Sequence, residues 1–190
     1  HVLEGIRDAG IYEVIIVTGY RSADIEDHTW GFAGLSIRYA RQDAPRGTAH
    51  AIGLASRYLR DRPFLYTWAD VLVEPSTYQR VAHAAEQADA VIAVNRVEDP
   101  SDGAAVSFDE EGWVTSIVEK PEAGTSDTPW NNSGIGVLSP EAWPLIDRIE
   151  PSARGELELT DALAAMVQAG SKVRAVPVEG YWFDIGTPER

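Results

Sequence analysis

Short apolar runs alternate with helix-like stretches along the first half of the chain. Residues 14–17, 63–69 and 90–97 are rich in β-branched, aromatic and other apolar side chains, a pattern typical of strands buried in a parallel sheet. Residues 48–60 carry apolar side chains along one helical face, and residues 75–87 predict a second helix. The alternation indicates right-handed βαβ units. We therefore expect an α/β fold with an open, mostly parallel, Rossmann-like sheet and helices on both faces.

The remaining segments are consistent with one domain. Residues 104–108 and 113–118 flank the turn sequence Asp-Glu-Glu-Gly, which predicts a hairpin. The polar stretch at residues 122–129 predicts a loop that could cover a ligand. The other expected elements are helices at 1–10, 22–28 and 158–169 and strands at 35–42, 135–138, 173–178 and 181–184. The sequence shows no repeat and no clear linker, so we predict a single domain over residues 1–190.

Composition narrows the classes of function. The chain contains no cysteine, and its longest apolar runs are strand-sized, well short of the roughly 20 residues of a membrane span. These features predict a cytoplasmic protein with no membrane partner. The formal net charge of −14 argues against a nucleic-acid partner, which would need a basic patch. An acidic protein that binds a polyphosphate needs an intervening cation; alternatively, the acidity reflects a high-salt host or a compositional bias.

Two aspartates follow predicted strands. Asp70 comes directly after the run at residues 63–69, and Asp184 ends the aromatic run at residues 181–183. Ligands of an open α/β sheet bind outside the carboxyl ends of its strands. Carboxylates at that edge could share one Mg²⁺ ion, with phosphate oxygens and water completing its coordination. Asp70 could instead support the following loop through an Asx turn.

Gly47 and Thr48 open the predicted helix at residues 48–60. Free backbone N–H groups and the positive end of the helix dipole would suit an anion there, although the same pair also fits an ordinary N-cap. Gln42, shortly upstream, carries both the donor and the acceptor needed to read a base edge. A surface glutamine would look the same in the sequence. His50 is expected to face the sheet or solvent.

Lys120 is one of only two lysines, and it follows Glu119 at the end of a predicted strand. A compact ammonium beside a carboxylate suits a site that holds an anion by charge and a hydroxyl by hydrogen bonding. Arg154 precedes Gly155, and a tight turn there would allow its guanidinium to grip a phosphate. A solvated loop arginine is an equally good interpretation of that residue.

The order and spacing of these residues resemble those of sugar-1-phosphate nucleotidyltransferases, across essentially the whole chain. The sharpest stretches are Glu119-Lys120-Pro121, residues 152–161 and residues 180–188. The chain is similar to both glucose-1-phosphate thymidylyltransferases and mannose-1-phosphate guanylyltransferases. The motifs do not show which nucleobase or which sugar is used. The resemblance implies the nucleotide-diphospho-sugar transferase fold. It also implies a single nucleotidyltransferase domain truncated at its amino end, whose first βα unit, including a glycine-rich loop and a lysine that grip the triphosphate, precedes residue 1.

The resemblance also implies roles for individual residues. These are nucleotide binding by Gln42, Gly47 and Thr48, Mg²⁺ binding by Asp70 and Asp184, sugar binding by Gly103, Glu119 and Asn132, and sugar-phosphate binding by Lys120 and Arg154. The expected reactants are an NTP and a hexose 1-phosphate, with glucose 1-phosphate favoured, and the products are an NDP-sugar and pyrophosphate. One departure is Ala69, since the family usually has glycine before the metal-binding aspartate.

Two other hypotheses remain open from the sequence. The chain could be a non-catalytic nucleotide-sugar-binding or regulatory subunit built on the same fold. It could also be a cytidylyltransferase that acts on a phosphorylated alcohol. The resemblance further allows a homo-oligomer, because family members often assemble.

Overall fold

The computed structural model describes residues 1–186. The helices are α1 (Val2–Asp8), α2 (Ser22–Thr29), α3 (Thr48–Leu59), α4 (Ser76–Ala84), α5 (Trp143–Ile146) and α6 (Leu159–Gln168). The strands are β1 (Glu13–Thr18), β2 (Ser36–Arg41), β3 (Phe64–Thr67), β4 (Val71–Val73), β5 (Ala90–Arg96), β6 (Ala104–Phe108), β7 (Val114–Glu119), β8 (Trp130–Leu138), β9 (Val173–Pro177) and β10 (Trp182–Asp184). Residues 187 and 188 of the predicted closing segment lie outside the described part. No helix within residues 1–186 is long and apolar enough to cross a bilayer.

A six-stranded sheet forms the centre of the molecule, with β7, β6, β8, β5 and β9 in that order and β3 paired to β8. Strands β3, β5, β6 and β9 run in one direction, so the expected α/β fold with a mostly parallel sheet is confirmed. Strand β8 runs the opposite way between them, and this makes most hydrogen-bonded pairs antiparallel. The sequence pattern did not predict that insertion.

Both faces of this sheet are covered, because successive side chains of a strand point to opposite faces. In β5, Ile92 and Val94 pack into one apolar cluster with residues of α3, α5 and α6. Val91 and Ala93 pack into a second cluster with residues of α1 and α4. All four side chains are fully buried. The sheet is thus covered on both faces, as the alternation of strands and helices predicted.

Two further pairs of strands lie beside the main sheet. Strands β1 and β2 are parallel and in register from Glu13 with Ser36 to Thr18 with Arg41, which confirms a βαβ unit around α2. Strands β4 and β10 form an antiparallel pair. Strand β4 was not predicted, because the apolar run after Asp70 is only three residues long, shorter than a run that indicates a strand by itself.

A cavity of about 1620 Å³ lies between β1 and β3 and is lined by every residue of both strands. Within residues 1–186, β1 pairs with β2 and β3 pairs with β8, so each has an edge facing this cavity. The predicted deep burial of residues 14–17 is therefore wrong for this structure, since those side chains are only half-buried. The βα unit expected before residue 1 stays a prediction.

Candidate functional site

Asp70 and Asp184 are brought together by the β4–β10 pair. Asp184 lies opposite Val71 in the strand register, and Ile185 N donates to Asp70 O at 2.9 Å. A methyl group at Gly186 would lie 2.8 Å from Asp70 Oδ2 and 3.1 Å from Asp184 Oδ1. Both carboxylates therefore border the same small space, and we refer to these residues as the aspartate pair. The convergence expected from the sequence is present, although 114 positions separate the two residues.

The aspartate pair meets the requirements of a hard divalent cation. Mg²⁺ is usually held by one or two carboxylates, with substrate phosphates and water supplying its other ligands. The described residues contain no cluster of three or more His, Cys, Asp or Glu that could hold a metal without such help. Asp184 Oδ1 also accepts a 2.9 Å bond from Gly186 N, which orients its carboxylate. The residues present therefore fit an ion that is shared with a phosphate ligand.

Gln42 lies just beyond the end of β2, where its side chain is held on two sides. Its Nε2 is 3.2 Å from Gly47 O and 2.8 Å from His50 Nδ1. His50 therefore faces Gln42, a contact that the sequence analysis missed because the two residues belong to different elements. With Nε2 occupied by these acceptors, Oε1 of Gln42 is the group left to meet a ligand.

Three residues with predicted nucleotide or metal roles border one cavity. Gln42, Thr48 and Asp70 all line the space between β1 and β3. Thr48 begins α3, and its Oγ1 accepts a 2.9 Å bond from Leu159 N. The amino end of α3 is therefore anchored to the start of α6 while it borders the cavity.

Gly47 is required at its position for two reasons. Its φ of +100° lies in a region that side chains rarely adopt. A methyl group there would also overlap the backbone of Leu157. Leu157 N donates to Arg46 O at 2.8 Å, and Ala49 N donates to Leu157 O at 2.9 Å. Backbone hydrogen bonds therefore connect the loop before α3 to the segment that carries Arg154.

The predicted sugar residues gather at the open end of the β6–β7 hairpin. Glu119 pairs with Ala104 in the strand register, and Lys120 N donates to Gly103 O at 2.7 Å. Lys120 has a backbone φ of +41°. Residues other than glycine seldom adopt a positive φ. Such strain is concentrated at functional sites. Gly103, Glu119 and Lys120 are thus close neighbours, as the sequence analysis expected.

Glu119 belongs to a network that the sequence did not reveal. Its Oε2 accepts a 2.7 Å bond from Thr160 Oγ1, and its Oε1 lies 3.1 Å from Arg154 Nη2. The same nitrogen of Arg154 lies 2.7 Å from Glu158 Oε1. We refer to Glu119, Arg154, Glu158 and Thr160 as the glutamate–arginine cluster. Arg154 lies in an exposed turn, as a loop arginine would, and its guanidinium is also bonded to two carboxylates.

The surroundings of Glu119 shift its pKa in both directions. Burial raises the pKa of Glu119 above its ordinary value, and the nearby Glu158 carboxylate adds to that effect. The Thr160 hydroxyl, Arg154 and Lys120 act in the opposite direction. Burial also raises the pKa of Asp161, one turn into α6. Acidic side chains outnumber basic ones in this region. The basic side chains near Glu119 are those of Arg154 and Lys120.

Asn132 lies in β8, which begins at Trp130, before the predicted strand at residues 135–138. Its Oδ1 accepts a 3.1 Å bond from Gly134 N. Gly134 O in turn accepts from Trp68 N at 3.0 Å, two residues before Asp70. Two hydrogen bonds at Gly134 of β8 therefore link the predicted sugar residue to the segment between β3 and β4 that carries the first aspartate.

Comparison with known proteins identifies the class. A model of the nucleotidyl transferase family matches residues 1–190. The fold is similar to that of UDP-glucose pyrophosphorylase in complex with UDP-glucose, with a TM-score of 0.87 and 22% identity over 99% of this chain and 81% of that one.

Two curated relatives give the same result at higher identity. The low-salt glycan biosynthesis nucleotidyltransferase Agl11 of Haloferax volcanii is 33% identical over 100% of this chain and 54% of its own length. A glucose-1-phosphate thymidylyltransferase of Streptomyces antibioticus is 32% identical over 97% of this chain and 52% of its own length. The chain belongs to the nucleotidyl transferase family. It spans about half the length of the curated relatives it matches.

Proposed function

We propose that the protein transfers a nucleotidyl group from an NTP to a hexose 1-phosphate, with glucose 1-phosphate favoured, and releases pyrophosphate. The observation that carries this proposal is the convergence of Asp70 and Asp184 on one space beside Gly186. Relatives named as nucleotidyltransferases, two of them glucose-1-phosphate thymidylyltransferases, support the reaction class. The placement of Gly103, Glu119 and Lys120 at one end of a hairpin supports a separate sugar-phosphate subsite.

The reaction needs no protein nucleophile. A phosphate oxygen of the hexose 1-phosphate attacks the α-phosphorus of the NTP, forming a new P–O bond. The bond between the α-phosphorus and the oxygen bridging to the β-phosphorus breaks, and pyrophosphate leaves with that electron pair. A phosphate monoester is already an anionic nucleophile, so catalysis rests on positioning and on neutralising charge.

Asp70 and Asp184 are the residues that would hold Mg²⁺. Bound there, the ion would supply positive charge between the sugar phosphate and the α-phosphate. The two side chains suit that role because β4 and β10 fix their backbones while their carboxylates face a shared space. A cation at this point also answers the electrostatic problem of an acidic chain that binds two phosphorylated substrates.

The other residues would bind and orient the substrates. Gln42, held by His50 and Gly47, offers its Oε1 to a base edge, and the amino end of α3 at Thr48 borders the same cavity. In the second subsite, Lys120 and Arg154 would bind the sugar phosphate. Gly103, Glu119 and Asn132 would contact the sugar, with Glu119 already oriented by its bond to Thr160.

A substrate screen of the full-length protein tests the proposal. The protein is incubated with each common NTP and several hexose 1-phosphates, with and without Mg²⁺, and pyrophosphate release and nucleotide-sugar formation are measured. We expect turnover with at least one pair, dependent on the divalent cation. Binding of a nucleotide sugar without any turnover would favour a regulatory subunit. Turnover restricted to CTP and phosphocholine would favour a cytidylyltransferase, and either result would overturn the proposal.

A further inference from the structure

Glu158 is a buried carboxylate with no role in the reaction as described so far. Only 4% of its surface is exposed, and within residues 1–186 it is the one charged residue that is fully buried. Burying a carboxylate costs several kcal/mol unless it is paired and hydrogen-bonded. Buried ion pairs are often no more stabilising than apolar side chains of similar size. The presence of Glu158 therefore calls for a reason beyond stability.

The contacts of Glu158 converge on one nitrogen of Arg154. Its Oε1 lies 2.7 Å from Arg154 Nη2 and 3.3 Å from Ser152 Oγ. The same Nη2 reaches Glu119 Oε1 at 3.1 Å. Ser152 Oγ also accepts a 3.3 Å bond from Arg154 N, so the backbone and the side chain of the arginine are held from one side.

This leaves the rest of the guanidinium available. A guanidinium has five N–H donors, two on each terminal nitrogen and one on Nε. Both side-chain bonds of Arg154 among the described residues use Nη2, so Nη1 and Nε remain for a ligand. The Arg154 side chain is 38% exposed, whereas the Glu158 side chain is 6% exposed. The guanidinium is thus held at Nη2 by two carboxylates, while its side chain remains accessible to a ligand.

We propose that Glu158 is a positioning residue for the sugar-phosphate subsite: it anchors Arg154 through Nη2 so that Nη1 and Nε bind the phosphate of the sugar substrate. This inference rests on the proposed function. Anchoring one nitrogen removes most of the conformational freedom of a long side chain before the ligand arrives, and preorganisation of this kind increases affinity. Glu158 itself touches no substrate in this arrangement.

A simple structural role predicts a different outcome. If Glu158 only stabilised the fold, its removal would lower the unfolding free energy and disturb both substrates alike. The segment from Arg154 to Leu159 also contacts the nucleotide loop through Leu157 and Thr48. A general disturbance would therefore raise the KM for the NTP as well as the KM for the sugar phosphate.

The test is a double-mutant cycle in the full-length protein, with Glu158→Gln, Arg154→Met and the double variant. We expect Glu158→Gln to raise the KM for the sugar 1-phosphate about ten-fold, the scale of one hydrogen bond to a charged group, with a nearly unchanged KM for the NTP. In the Arg154→Met background the same substitution should have no further effect, because Glu158 acts only through Arg154. Asp147→Asn is the matched control, since it breaks an exposed bidentate pair with Arg60.

Three results would overturn the inference: an unchanged KM for the sugar phosphate in Glu158→Gln, an equal rise in both KM values, or additive effects in the cycle. If Glu158→Gln does not fold because Arg154 loses its partner, Arg154→Met is compared with the double variant, which removes both members of the pair. Because Arg154→Met leaves the buried Glu158 carboxylate without its cation, circular dichroism first checks that this variant is folded. Equal KM values for the sugar phosphate then support action through Arg154, and unequal values refute it. A wild-type protein that turns over no substrate pair overturns the proposed function and this inference together, whereas an active wild type with an additive cycle overturns the inference alone.

Discussion

The aspartate pair and the glutamate–arginine cluster place acidic groups in opposite ways. The pair is positioned by backbone pairing of β4 with β10, and its carboxylates border a shared space. In the cluster, one arginine and one hydroxyl bond the carboxylates directly. The positions of the pair are thus set by the backbone, while the carboxylates of the cluster are held by the side chains of Arg154 and Thr160. We infer that the aspartate pair acts on a ligand through its charge and that the glutamate–arginine cluster fixes the position of the Arg154 side chain.

The largest expected effect tests the first half of this comparison. Asp184→Asn in the full-length protein should lower turnover by roughly 10²–10³-fold, as when another charge-stabilising group is removed from an active site. The fold should survive, because the bond from Gly186 N can still be accepted by the amide oxygen. Pyrophosphate release and circular dichroism measure the two properties. Near-wild-type activity would refute the metal role, and Asp147→Asn again serves as the control.

The next effect concerns the contact between the loop before α3 and the segment that carries Arg154. Gly47→Ala should lower the unfolding free energy by about 2 kcal/mol or more, because a side chain at positive φ is strained and the added methyl group meets Leu157. Gly170→Ala is the matched control, since its φ is +82° with open space around it. It should lose only the strain contribution, roughly 1 kcal/mol. Equal losses in denaturant unfolding would show that the contact with Leu157 contributes nothing.

A smaller effect sharpens the description of the cluster. Thr160→Val should cost about 1 kcal/mol of stability, because Glu119 Oε2 loses its 2.7 Å donor while the volume of the side chain is nearly kept. Thr160→Ser keeps the hydroxyl and should retain most of that bond. Urea unfolding of both variants makes the comparison. If both variants lose the same unfolding free energy, Thr160 stabilises the protein through packing and not through its hydrogen bond.

The smallest effect is a pH dependence confined to the cluster. Since burial raises the pKa of Glu119 above its ordinary 4.5, the protonated form is favoured in the folded state. The associated stability is present below 4.5 and is lost as pH rises through the raised pKa. The unfolding free energy of the wild type, relative to Glu119→Gln, should therefore fall across that window. Measurements from about pH 4 to about pH 8 would show it, and a rising difference would contradict it.

Much of the fold was predictable, and the exceptions have a common cause. The strand predicted at residues 90–97 is present as β5, which is buried from Ala90 to Asn95. Strand β8 was predicted to begin at residue 135 but begins at Trp130, because polar residues such as Asn131 form hydrogen bonds inside the sheet. Its antiparallel direction depends on neighbours that are distant in the sequence. Strand β4 exists only because β10 pairs with it.

The same division applies to the candidate site. Asp70, Asp184 and the neighbours Glu119 and Lys120 could be singled out because strand ends in an α/β sheet are where ligands bind, and strand ends are visible in local patterns. Glu158 and Thr160 gave no such signal. They matter because α6 brings them against β7, from about 40 positions away along the chain.

The sequence alone therefore determined the element types, the α/β class and the residues at strand ends, since each depends on side-chain periodicity within a few neighbouring residues. Only the tertiary structure decided the direction of β8, the meeting of Asp70 with Asp184 at Gly186, and the sharing of Arg154 between Glu119 and Glu158. These features depend on contacts between segments that are far apart in the chain, and a local pattern of apolar and polar residues carries no information about such partners.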